Sequence, residues 1–250
     1  MAILYKYLPP TRIDVLEKQV MRLSQPCTLN DPHDALPAIR SRLEEKYGDD
    51  AVIADDFSVE RIYSRSIRED YSRQLGVLCF SANPHVHLMW SHYCLNHTGY
   101  LLHVKKDHDF FTRKKFNWTS LYDVQYQYDG LPYPSKITYT DKRKIYYLED
   151  GIPFDVLFQK SHHWAYEEEY RSLMNLIDAK IDDETKNNPW PVYLLELPKG
   201  LIVGATLGLD ANDDTIQRVK TACKALSVPA FRVIADHLTY ELHSVRCENC

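Results

Sequence analysis

Glycine is scarce in this sequence, which has only 8 glycines among 250 residues. Backbone loops that cradle phosphate depend on closely spaced glycines, as in G-x-x-x-x-G-K-[ST] and G-x-G-x-x-G. Neither pattern occurs, and G-x-S-x-G, which marks the nucleophile of the α/β-hydrolases, is absent as well. The sequence therefore argues against P-loop enzymes, kinases and serine hydrolases of that type.

The sequence also lacks a long apolar run and an excess of basic charge. No stretch approaches the roughly 18 apolar residues that span a bilayer, and the first residues, MAILYKYLPP, do not form the apolar region of a signal peptide. The formal net charge of −5 gives no overall attraction to nucleic acid. We therefore expect a cytoplasmic protein with no membrane partner.

The six cysteines do not form the pattern of a disulfide framework. His243, Cys247 and Cys250 have a spacing that zinc sites use, but a structural zinc site needs four ligands. A zinc site at the C-terminus is therefore not expected, and no other metal is expected.

Short β-prone runs and helical segments alternate along the chain. The clearest unit covers 76–104, where the strands GVLCFS and YLLHV flank a helix. Asn83 is the predicted N-cap, Pro84 the first helical residue and Gly99 the residue just past the end. This order predicts a single α+β domain over 1–250, with a mixed, mostly antiparallel sheet, flanking helices and a charged helical insert at about 37–73.

The stretch KSHHWAYEEEYRSL (160–173) places three acids among aromatic rings. As a helix, it would pair Glu167 with Arg171 four residues later. As a strand, it would present Glu167, Glu169 and Arg171 on one face. Periodicity alone favours the helix. The composition suits a pocket that holds a carboxylate against a stacked ring, and the alternative is a surface ion pair beside a core of aromatic residues.

Several short sequence motifs of this chain occur together, in the same order, in a known family. LNDP, CFS, MWSHYCLNHTG and W-x-Y-E-x-E-Y-R resemble a bacterial domain-of-unknown-function family, over roughly 3–245. The activity of that family is not generally established, so the resemblance implies no function. It does favour a strand for 168–176, because family members run from E-Y-R into a β-prone stretch.

A second resemblance is to the ADP-ribosyltransferase-like fold. In that fold a first strand carries a polar residue, a later strand bears Ser or Tyr, and another strand presents a Glu that acts on NAD. The matching positions here are Lys6, then Ser81 or Tyr93, then Glu169, although such enzymes more often have His or Arg where this chain has Lys6. The resemblance implies NAD as substrate, a nucleic acid or a protein as acceptor, and a role as a bacterial toxin or defence effector.

Cleavage of NAD at C1′ requires a fixed negative group, because positive charge develops on the sugar in the transition state. Glu169 is the candidate for that group, with Arg171 holding it and Glu167 orienting an acceptor. The predicted catalytic residues are Glu169, Glu167, Tyr93 and His92, the last as a general base or a ligand hydrogen-bonder. The predicted cofactor-binding residues are Lys6, Tyr7, Asn30, Asp31, Ser81, Trp90, Trp164 and Arg171, with Tyr93 or Trp90 stacked on the base.

Two other functions fit the same residues. One is a non-catalytic module in which the pocket recognises a nucleotide or a side chain of a partner. The other is a nucleic-acid enzyme in which the acids bind a divalent metal ion.

Overall fold

The structure, a computed structural model, describes residues 2–35, 59–111, 121–127, 137–139, 146–148 and 157–247. Helices occur in this part of the chain at α1 (Asp14–Glu17), α2 (Val59–Gln74), α3 (His87–Tyr93) and α4 (Asp213–Leu226). The strands are β1 (Ile3–Leu8), β2 (Val20–Leu23), β3 (Leu75–Ser81), β4 (Tyr100–Lys105), β5 (Leu121–Asp123), β6 (Gln125–Gln127), β7 (Ile137–Tyr139), β8 (Tyr146–Leu148), β9 (Gln159–Ser161), β10 (Glu169–Asn175), β11 (Lys180–Ile181), β12 (Tyr193–Glu196), β13 (Ile202–Leu207), β14 (Ala230–Ala235) and β15 (Leu242–Arg246).

An eight-stranded sheet organises these elements in the order β15-β14-β13-β4-β1-β3-β10-β5. Its neighbouring strands are antiparallel except β13 and β14, which are parallel and joined through α4. Smaller sheets contain β11-β12-β2, β6-β9 and β7-β8. The predicted α+β class with a mixed, mostly antiparallel sheet is confirmed, while the assignment of 1–250 to one domain stays a prediction.

Strand β4 is buried on both faces because helices cover the sheet from both sides. On one face Leu102 belongs to the same apolar cluster as Val219 of α4. On the other face its neighbour Leu101 belongs to a second cluster with Trp90 of α3. Successive side chains of β4 point to opposite faces of the sheet, so this one strand contributes residues to two separate apolar cores.

Helix α3 begins later than the sequence predicts. It starts at His87, with Val86 at the N-cap position, so the assignments of Asn83 as N-cap and Pro84 as first helical residue were wrong. The Asn83 side chain instead accepts a hydrogen bond from the backbone N–H of His85 at 3.0 Å. Asn83 thus shapes a turn ahead of the helix, which is the other common use of an Asx side chain.

The helix favoured by periodicity around Glu169 was wrong, and the strand alternative is correct for Glu169 and Arg171 but not for Glu167. A short 3-10 helix covers His162–Glu167, and Glu168 follows with a left-handed φ of 43°. That single residue turns the chain, so that β10 starts at Glu169 and runs antiparallel to β3.

Of the charged insert predicted at about 37–73, the structure describes α2, which runs from Val59 to Gln74. Residues 36–58 lie outside the described residues. Within the described part of the chain, no helix is long and apolar enough to cross a membrane.

The turn after α3 brings the backbone very close to β1. Residues 95–97 have left-handed φ angles, and the N–H of Gly99 donates to the carbonyl of Cys94 at 2.9 Å. A Cβ atom on Gly99 would lie 2.1 Å from the carbonyl oxygen of Leu8. Any side chain at this position would therefore force the two backbone segments apart.

We expect Gly99→Ala to lower the free energy of unfolding by more than about 2 kcal/mol, because two pieces of backbone must move. Gly200→Ala is the matched control, since Gly200 has a φ of 82° but its nearest neighbouring heavy atom would lie 3.9 Å away. That variant should lose about 1 kcal/mol through backbone strain alone. Urea unfolding measures the free energy of unfolding of both variants. A smaller decrease for Gly99→Ala than for Gly200→Ala would contradict the close approach of the two backbone segments.

Candidate functional site

A pocket of about 270 Å³ opens beside strands β1, β3 and β10. Strands β3 and β10 are paired along their whole length, but β1 and β3 are paired only at Tyr5 and Ser81, so these two strands diverge. The lining residues are Tyr5, Lys6, Tyr7, Ser24, Thr28, Leu29, Asn30, Asp34, Cys79, Phe80, Ser81, Met89, Tyr93, Lys160, Glu167, Glu169 and Arg171. They come from the three strands, the segment after β2, α3 and the β9 region.

Strand register places two of the charged residues side by side. Ser81 of β3 lies opposite Tyr5 on one side and Glu169 on the other, so the three side chains share one face of the sheet. Arg171 follows Glu169 by two residues and faces the same way, opposite Cys79. The E-Y-R motif thus presents a carboxylate and a guanidinium on the same face because it forms a strand.

Arg171 is the centre of a buried ion network and is only 1% exposed. Its Nε and Nη2 donate to the two carboxylate oxygens of Glu169 at 2.8 and 2.9 Å. Its Nη1 and Nη2 donate to the two oxygens of Asp34, both at 2.7 Å, and Nη1 also donates to the carbonyl of Leu157 at 2.8 Å. All five N–H donors of a guanidinium are therefore used.

Lys160 adds a second buried cation to this network. Its Nζ donates to Glu167 at 2.5 Å and to Glu169 at 3.4 Å, and lies 3.9 Å from Asp34. The ammonium also lies 4.7 Å from the ring centroid of Trp164. The two glutamates therefore share one ammonium group.

The hydroxyl of Tyr93 links helix α3 to the network. It donates to Glu167 at 2.6 Å and accepts from the side-chain amide of Asn30 at 2.9 Å. Asn30 lies in the segment after β2, and Asp34 of the same segment binds Arg171. Polar contacts at two points thus hold that segment and α3 against the pocket.

The two glutamates have pKa values shifted in opposite directions. Burial raises the pKa of Glu167 above its ordinary value, although Lys160 opposes the shift. Burial alone would also raise the pKa of Glu169, but Arg171 and Lys160 outweigh it and hold that pKa at about 2. Glu169 is therefore ionised at neutral pH, whereas Glu167 is the acid that accepts a proton more readily.

Eight of the predicted site residues line the pocket. They are Glu169, Glu167, Tyr93, Lys6, Tyr7, Asn30, Ser81 and Arg171. The backbone N–H of Glu169 is itself held by the hydroxyl of Tyr126 at 2.8 Å.

The other four predicted residues lie elsewhere. Trp90 is fully buried under the pocket wall, where its indole N–H donates to the carbonyl of Pro84, so it is not placed to stack on a ligand. His92 is exposed outside the pocket lining. Asp31 is buried and shapes its own turn by accepting from the N–H of His33, and Trp164 packs against Lys160 behind the lining.

Sequence reasoning missed two members of the ion network, Lys160 and Asp34. Lys160 is the first residue of the acid-rich stretch, and a lysine close to three glutamates was a usable signal. Asp34 lies 137 residues from Arg171 in the chain, and no local pattern connects them.

The described residues contain no group of three His, Cys, Asp or Glu side chains that could hold a metal ion. The carboxylates of Asp34, Glu167 and Glu169 are engaged with Lys160 and Arg171. Cys250 of the C-terminal group lies outside the described residues.

Residues 89–172 match the model of a family described as a protein of unknown function (DUF2971). This confirms the resemblance to a family of unknown function over a stretch that runs from α3 into β10. No curated protein and no solved structure matches the chain. The likeness to the ADP-ribosyltransferase fold therefore stays a prediction.

Because the pKa of Glu169 is lowered in the folded state, the free energy of unfolding changes with pH in the acid range. Because the folded-state pKa of about 2 lies below the ordinary value of 4.5, Glu169 stabilises the fold fully above pH 4.5 and loses that contribution as pH falls towards 2. The loss should be on the order of 3 kcal/mol in the free energy of unfolding. Glu167, with its raised pKa, favours the folded state at low pH and offsets part of the loss.

Urea unfolding at a series of pH values between 2 and 6 measures this dependence. Glu169→Gln should flatten the curve, whereas Glu168→Gln should follow the wild type because Glu168 is exposed and does not line the pocket. Parallel curves for wild type and Glu169→Gln would show that the carboxylate is not held by Arg171.

Proposed function

We propose that the protein cleaves the N-glycosidic bond of NAD and transfers the ADP-ribosyl group to an acceptor or to water. One observation carries the proposal: Glu167 and Glu169 share the ammonium of Lys160 in one pocket, and their pKa values are shifted apart. Where the environment separates two carboxyls in this way, one serves as a fixed charge and the other moves a proton.

Glu169 supplies the fixed charge. Departure of nicotinamide leaves positive charge on C1′, as in the transition states of glycoside cleavage. A carboxylate that is already oriented stabilises this charge without reorganising, and Arg171 holds both oxygens of Glu169 in place.

Glu167 supplies the proton-accepting group. Its raised pKa brings it nearer to neutral pH, which is the range where a general base is effective. The hydroxyl of Tyr93 orients it by donating to one of its oxygens. Glu167 would take the proton from the attacking acceptor hydroxyl or water.

Aromatic side chains and pocket size fit the nicotinamide end of the molecule. Tyr5, Tyr7 and Tyr93 line the pocket and place aromatic rings beside its space. A volume of about 270 Å³ is at the small end of ligand pockets, which run from about 300 to 1,000 Å³. The pocket suits a nicotinamide and its ribose, with the rest of NAD outside it.

The class of acceptor belongs to the same proposal. A nucleic acid or a protein would present the attacking group at the pocket mouth, in a cytoplasmic protein that acts as a toxin or defence effector. The formal net charge of −5 gives no general attraction to nucleic acid, so an acceptor of that class would have to be recognised locally.

Nicotinamide release from NAD tests the proposal. The wild type, incubated with NAD and with nucleic acid or lysate as acceptor, should release nicotinamide. Glu169→Gln and Glu167→Gln should each reduce the rate by about 100-fold or more, because each removes a group used in the transition state.

Glu168→Gln is the matched control, since it changes the same residue type at the position between the two and outside the pocket lining. It should retain the wild-type rate. Thermal unfolding of all three variants separates loss of activity from loss of fold. Equal rates for wild type and Glu169→Gln would refute the proposal.

A non-catalytic binding module is the second candidate, and one observation favours it. The donors of Arg171 are all satisfied without a ligand, so the ion network is complete as a purely structural unit. In that case a nucleotide would raise the unfolding temperature by binding the folded state, with no release of nicotinamide.

A further inference from the structure

Three basic side chains among the described residues line the pocket, and two of them are engaged with carboxylates of the protein. Arg171 uses all five of its N–H groups within the protein. Lys160 directs its ammonium at Glu167, Glu169 and Asp34. The charges of both cations are therefore already paired with acids of the protein.

Lys6 is different from both. Its ammonium donates one hydrogen bond, to the carbonyl of Cys79 at 2.9 Å, across the gap where β1 and β3 diverge. Within the described part of the chain it forms no salt bridge, although a lysine ammonium carries three donors. Its other close neighbour is the ring of Phe80, 5.8 Å from Nζ to the centroid.

This environment makes the Lys6 ammonium easier to deprotonate. Burial lowers the pKa of Lys6 from its ordinary value, with smaller opposing contributions from Cys79 and Glu169. A neutral lysine amine is a nucleophile, and desolvation in an apolar setting is one of the ways in which proteins activate it.

We propose that Lys6 is a covalent nucleophile that captures an aldehyde as an imine, with the open-chain C1′ aldehyde of a ribosyl group as the substrate class. This extends the proposed function, on which it rests in one respect: cleavage of an N-glycosidic bond with water frees the sugar carbon that can open to an aldehyde. Formation of the imine itself requires only the amine of Lys6 and an aldehyde, from whatever source.

The reaction balances without an oxidant or a reductant. The amine nitrogen adds to the carbonyl carbon, forming a C–N bond as the carbonyl π electrons move to oxygen, and a proton passes from nitrogen to that oxygen. Loss of the hydroxyl as water then gives the C=N bond, so amine and aldehyde become imine and water. The departing hydroxyl needs a proton, and Glu167 lines the same pocket and has a raised pKa that fits that task.

Reductive trapping tests the proposal on the intact wild-type chain. The protein is incubated with ribose or glycolaldehyde and sodium cyanoborohydride, which reduces the imine carbon to a stable secondary amine, and the adducts are mapped by peptide mass spectrometry. At pH 6 we expect Lys6 to be labelled faster than the exposed lysines Lys199 and Lys224, since a lowered pKa gives a larger fraction of neutral amine.

Lys6→Arg keeps a long side chain with N–H donors for the carbonyl of Cys79 and removes the nucleophilic amine, so it should lose the pocket adduct while Lys199 and Lys224 are labelled as before. Labelling of Lys6 no faster than these two lysines, or an adduct on Lys160 in its place, would overturn the inference. Labelling of Lys6 by ribose in a protein that releases no nicotinamide supports this inference and contradicts the proposed function. Release of nicotinamide with no adduct at Lys6 contradicts this inference alone.

Discussion

A guanidinium with 1% exposure, like that of Arg171, costs several kcal/mol unless acids and carbonyls surround it. Asp34 and Glu169 meet this requirement from two parts of the chain that are far apart in sequence. The segment after β2, the residues before β9 and the strand β10 must therefore come together around one charge. The pocket is the space that remains beside this contact, so its shape depends on the ion network.

Stability alone is a weak reason for such a network. Buried ion pairs can often be replaced by apolar side chains of similar volume with little loss, although removal of one partner is very costly. What apolar residues cannot provide is a carboxylate that stays ionised and fixed inside a small pocket. Glu169 has that property because Arg171 occupies both of its oxygens, and this favours a role for the network in chemistry or recognition.

The separation in sequence between interacting residues determined how much of the candidate site could be predicted from the sequence. Glu169 and Arg171 are two residues apart, and alternation on a strand is sufficient to place them together. The helix favoured there by periodicity was wrong because one left-handed residue, Glu168, starts the strand, and no periodic pattern reports such a residue. Asp34 was not predicted because its partner, Arg171, lies 137 residues away in the chain. The strands around the central sheet were predictable because their apolar runs are local.

The three bases of the pocket have different chemistry although they share one space. Arg171 and Lys160 are saturated by acids and act as supports, and the acids raise the pKa of Lys160 despite its burial. Lys6 is half-buried without a carboxylate in contact, and its pKa moves in the opposite direction. Position relative to the carboxylates, and not residue type, therefore separates a structural lysine from a reactive one. The divergence of β1 from β3 leaves the carbonyl of Cys79 as the hydrogen-bond acceptor for the Lys6 ammonium, whereas a paired strand would have offered a backbone N–H.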